Sequence, residues 1–126
     1  MTTTPLPAST PRPAGHEWDV IRAPRQLGLA AMSILGTRAG AVVEDPQRAS
    51  VFFFVPAGAA ASWRVQNTEP LPEGRTVPLP PRRRTEGPGP HWRICPGDGS
   101  WLTDPAALAA ALSDAFGPRL GKEQAG

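Results

Sequence analysis

At 126 residues the chain has room for one compact domain and not for two. Its 17 prolines and 13 glycines approach a quarter of the residues, just below the range of non-periodic disorder, and they cluster, so the rest of the chain can fold. The formal charge of +2 is carried almost wholly by arginine, and a single cysteine (Cys95) with two distant histidines (His16, His91) excludes an intrachain disulfide and argues against a zinc site.

Residues 1–15 read T-T-T-P-L-P-A-S-T-P-R-P-A-G after the initial Met and bury too little apolar surface to offset their ordering entropy; they are expected to form a disordered or extended tail. Trp18, Val20 and Ile21 bring the chain into the domain. Pro24 then opens a helical pattern in which Leu27, Ala31, Ile34 and Leu35 share one face, with Gly36 or Gly40 as its stop. Gly28 inside this helix weakens it by roughly 1 kcal/mol relative to Ala.

Ala41 to Val43 is a short strand ended by Glu44-Asp45-Pro46, because Asp favours turns and the residue before proline leaves regular structure. Val51 to Val55 (V-F-F-F-V) is a continuous apolar run between turn residues, which predicts a strand buried on both faces. Ala59 to Trp63 fits one helical turn or an irregular connection. Thr76 to Leu79 predicts an edge strand, since Pro78 cannot donate to a ladder. Pro80 to Pro90 is a loop, P-P-R-R-R-T-E-G-P-G-P, and His91 to Ile94 alternates as a strand. Asp104 and Pro105 mark a helix start; Leu108, Leu112, Ala115 and Phe116 form its apolar stripe, and Gly117-Pro118 is expected to stop it. The sum is a single α+β domain over 16–117, a small mostly antiparallel sheet of short strands flanked by two helices, with a frayed tail over 118–126.

The binding candidates lie together. Arg82, Arg83 and Arg84 on a glycine-bearing loop can clasp phosphates, with Arg93 nearby, while His91 and Trp92 can stack on a base. The plain alternative is a solvated loop with Trp92 in the core. Glu44 and Asp45 are the candidate metal carboxylates, but adjacent strand residues point to opposite faces. Cys95 reads as a small packing residue. The four tryptophans (Trp18, Trp63, Trp92, Trp101) supply core to an undersized domain; surface exposure of Trp63 or Trp101 would instead mark a partner site. With no apolar run near ~18 residues and no apolar N-terminal core, the expectation is a cytoplasmic protein with no membrane partner.

The pieces Val42-Val43-Glu44-Asp45, Val51-Phe52-Phe53-Phe54-Val55-Pro56-Ala57-Gly58, Gly74-Arg75-Thr76-Val77-Pro78-Leu79-Pro80-Pro81 and Pro90-His91-Trp92-Arg93 follow one another over roughly 50 residues. In turn chemistry and strand order they resemble the back half of the bifunctional DNA primase/polymerase N-terminal domain, of the archaeo-eukaryotic primase type. The resemblance implies an ancestral nucleotidyl-transfer fold. It also shows what is missing: that family carries a D-x-D pair where this chain has Glu44-Asp45, and a histidine before the apolar strand where this chain has Gln47-Arg48-Ala49-Ser50. Two metal ions need converging carboxylates. The expectation is therefore a truncated, non-catalytic relative without cofactor or metal, which binds nucleic acid or a replication-associated protein through its basic loop. The alternative is a small protein–protein interaction or regulatory module with no nucleic-acid role.

Overall fold

A computed structural model describes residues 10–13, 18–71, 76–80, 84–86, 89–95 and 101–125 of the chain. The fold is α+β. Five antiparallel strands form the main sheet in the order β5-β2-β4-β3-β7, and a separate two-stranded ribbon pairs β1 with β6. The strands are β1 Thr10–Pro13, β2 Trp18–Pro24, β3 Val42–Asp45, β4 Ser50–Pro56, β5 Glu69–Leu71, β6 Thr76–Leu79 and β7 His91–Ile94; the helices are α1 Arg25–Leu35 and α2 Pro105–Ala125.

The sheet separates two apolar layers because strand side chains alternate. On one face Ile21, Ala23, Val42, Val51, Phe53 and Val55 meet Leu27, Ala31 and Leu35 of α1 and Leu108, Ala111, Leu112 and Ala115 of α2. On the other, Trp18, Val20, Val43, Phe52 and Phe54 are covered by Leu71, Leu79, Trp92, Trp101 and Leu102. Strand β4 is central and its residues Val51 to Val55 are buried on both faces, as the unbroken V-F-F-F-V run predicts.

Strand β2 shows what the sequence reading missed. Trp18 to Ala23 alternates between the two layers, with Asp19 and Arg22 in its polar slots. Asp19 accepts the amides of Gly58 (2.8 Å) and Ala60 (2.9 Å), while Arg22 donates to Ser50 (2.9 Å) and Glu69 (3.2 Å). The region expected to be a tail also contributes: Thr10–Pro13 pairs with β6. The register sets Pro11 opposite Pro78, and the donors Thr10 and Arg12 opposite Leu79 and Val77. The prolines thus fall on positions whose N–H the ladder does not need.

Helix α1 follows Pro24 and ends at Gly36, whose φ is 57°. Its buried residues are Leu27, Gly28, Ala31 and Leu35, whereas Ile34, expected in the stripe, is exposed. Gly28 is there because the helix rests on the sheet: a Cβ at this position would lie 2.7 Å from Val51 Cβ. Helix α2 begins as expected, Ala107 N donating to the Asp104 carboxylate at 2.9 Å. It does not stop at Gly117-Pro118 but continues to Ala125. Pro118 lacks an N–H and so removes one backbone bond, which the turns on either side outlast.

Candidate functional site

The site is built where β3, β7 and the start of α1 meet. Register pairs Glu44 of β3 with Val51 of β4 on one side and with His91 of β7 on the other, and the backbone amide of Arg25 donates to the Ala49 carbonyl at 2.8 Å. These contacts carry the first residue of α1 over the end of β3. A bulge between β3 and β7 pairs Val42 with Ile94 and Val43 with Trp92, leaving Arg93 as the extra residue.

Glu44 is 2% exposed and stands at the centre of a charge cluster. Arg25 Nε donates to Glu44 Oε2, His91 Nε2 lies 3.2 Å from Oε1, and Arg93 Nη1 lies 3.6 Å from the same oxygen. Burial alone would raise the carboxyl; the hydrogen bond and charge of Arg25, followed by the charges of His91 and Arg93, override it and hold Glu44 below the ordinary glutamate value. The cations are not buried with it. The Arg25 side chain is 51% exposed and that of Arg93 40%, so one buried carboxylate anchors two guanidinium groups that reach solvent.

Asp45 faces away. Its Oδ1 accepts the Gln47 amide at 3.2 Å and its Oδ2 lies 3.7 Å from Arg48 Nε, so it caps the turn Pro46–Arg48. The two adjacent carboxylates are thus divided between the sheet's faces, as period-two geometry requires. Asp45 is the turn residue the sequence suggested. Glu44 is not: it is a core-lining charge whose partners lie 19 and 47 residues away.

The loop candidates are placed unevenly. Arg82 and Arg83 lie outside the described residues. Arg84 is half-buried, and its carbonyl accepts the Trp92 amide at 2.7 Å, which ties the loop to the outer edge of β7. His91 is buried beside Glu44, its Nδ1 3.0 Å from the Gly89 carbonyl. Trp92 does not offer its ring to a base: it is 3% exposed, with ring centroids 6.3 Å from Phe54 and 5.7 Å from Trp101. Its burial follows from alternation, since His91 takes the helix-side face. Cys95, expected to pack, is exposed. Arg25 was not singled out in the sequence; the signal available was an arginine directly after the helix-opening proline.

The arrangement presents a basic sheet edge around one internal carboxylate, joined to an arginine-bearing loop. No protein-family model, curated protein or solved structure matches the chain.

Proposed function

We propose that this chain is a non-catalytic, primase/polymerase-like small domain that binds single-stranded nucleic acid through the basic edge at β7 and the loop before it. The observation that carries this reading is the pair of half-exposed guanidiniums, Arg25 and Arg93, held on Glu44 next to the strand residue whose amide binds the Arg84 carbonyl. Arginines already held in place lose little further freedom on meeting a phosphate, and their planar forks suit its oxygens. The contacts are to backbone phosphate, so affinity is electrostatic and largely indifferent to sequence. Base stacking by Trp92 plays no part. The division of Glu44 from Asp45 supports a binding role over two-metal nucleotidyl transfer.

An interaction module anchored on Trp63 draws no support from the surface, and Trp101 is half-buried with its ring against Phe54 and Trp92. Trp63 is 6% exposed, and among the described residues Ile34 is the large hydrophobic side chain that is exposed.

The test is fluorescence anisotropy of a labelled oligothymidine. Neutralising three phosphates gives a salt slope of about −2 on single strands, so affinity falls roughly 20-fold between about 50 and 200 mM salt. Absence of binding at about 50 mM salt rejects the proposal.

A further inference from the structure

Both ring nitrogens of His91 face oxygens that only accept. Nε2 lies 3.2 Å from Glu44 Oε1, and Nδ1 lies 3.0 Å from the carbonyl oxygen of Gly89. A neutral imidazole carries one N–H and can satisfy one of these two; only the imidazolium donates to both. Glu44 does not supply the missing proton, because its other oxygen accepts from Arg25 and the carboxylate form is the one those contacts favour. The ring is also closed in, its side chain 8% exposed, so water has little room to mend a lost bond.

We propose that His91 is a proton-operated clasp that fastens the C-terminal end of the arginine loop, at Gly89, to the buried Glu44. The charged groups facing it are Glu44 from β3, which favours the imidazolium, and Arg25 from α1 and Arg93 from β7, which share that carboxylate and oppose a third positive charge. When the proton leaves, the remaining N–H stays with the carboxylate, because a hydrogen bond to an ionised acceptor is the stronger of the two. Nδ1 then turns a lone pair toward the Gly89 carbonyl, and that end of the loop is released. The consequence for nucleic acid, the Gly89 carbonyl held beside the basic edge only while His91 is charged, rests on the binding proposal above; the clasp itself does not.

The test uses the full chain without ligand. Long-range nitrogen–proton NMR assigns the protonation of each His91 ring nitrogen from about pH 5 to 8.5, and amide exchange of Trp92, whose N–H donates to the Arg84 carbonyl, reports whether the loop is docked. The expected result is two protonated nitrogens at the acid end. As the Nδ1 proton is lost, the Trp92 protection factor, corrected for intrinsic exchange, falls roughly five- to tenfold, the worth of one hydrogen bond. His91→Gln, which can donate to Glu44 but not also to Gly89, is expected to show the low protection at every pH. A single neutral tautomer throughout, or protection of Trp92 unchanged across the His91 titration, overturns the clasp. The oligothymidine assay separates the two proposals: a working clasp with no DNA binding rejects the function alone, and DNA binding with pH-independent protection rejects the clasp alone.

Discussion

Replacing Gly28 with alanine sets two physical effects against each other. In an isolated helix the change is favourable by about 1 kcal/mol, because glycine loses the most backbone freedom on folding. Here the new Cβ would sit 2.7 Å from Val51 Cβ and 3.1 and 3.2 Å from its two methyl carbons. Val51 cannot retreat: it is fully buried on β4, which is bonded to β2 on one side and β3 on the other. Relief must come from lifting α1 off the sheet, which also disturbs Leu27, Ala31 and Leu35. Overpacking of this kind costs about 1–3 kcal/mol, and a contact on a Cβ rather than a flexible tip belongs at the upper end. Gly28→Ala is therefore expected to lose about 2 kcal/mol net, seen as a lower urea midpoint at unchanged m. In a Val51→Ala background the cost of the same substitution should shrink but not vanish, since the two methyl contacts are gone while the 2.7 Å contact on Cβ remains. Equal or higher stability of the single variant would refute the close approach of helix and sheet.

Glu44→Gln leaves Arg25, His91 and Arg93 without their shared counter-charge; breaking a buried pair costs about 3–5 kcal/mol, and the exposure of both arginines reduces the expected loss to about 2 kcal/mol by urea unfolding. Arg48→Ala, whose side chain is 69% exposed beside Asp45, is expected to cost under about 0.5 kcal/mol in the same assay. The acid limb has a definite sign. Glu44 is held below its ordinary 4.5, so the stability it contributes is complete above that value and drains away as pH falls through the lower folded value. The Glu44 part of the gap between wild type and Glu44→Gln should accordingly be complete above pH 4.5 and close as pH falls below it; a gap that widens in acid contradicts the ion cluster. Asp104→Ala removes the cap of α2 and should cost about 1 kcal/mol in thermal unfolding.

Local signals were legible in the sequence because their causes are local. The V-F-F-F-V run, the Asp104-Pro105 helix start and the His91–Ile94 alternation each carry their own explanation within a few residues. Strand β2 was not legible, because its polar slots are filled by Asp19 and Arg22, whose partners lie 28 to 47 residues away. Strand β1 was hidden by prolines, which read as a tail until a partner register places them off the ladder. The site divides in the same way. Asp45 was readable as a turn residue from Pro46. Glu44 beside it was not readable as a buried anchor, since Arg25 and His91 become its neighbours only once α1 and β7 flank β3. Trp92 shows the reverse error of reading an aromatic by its loop rather than by its strand, where alternation sends it into the core.

The binding proposal is met most directly by mapping backbone amide shifts as a short oligothymidine is added at low salt. The expected perturbations fall on Arg25, Arg84, Gly89, His91 and Arg93, and fade as salt is raised. Shifts confined to α2 or to the β5 edge, or no shifts at all, contradict a nucleic-acid surface at the Glu44 cluster.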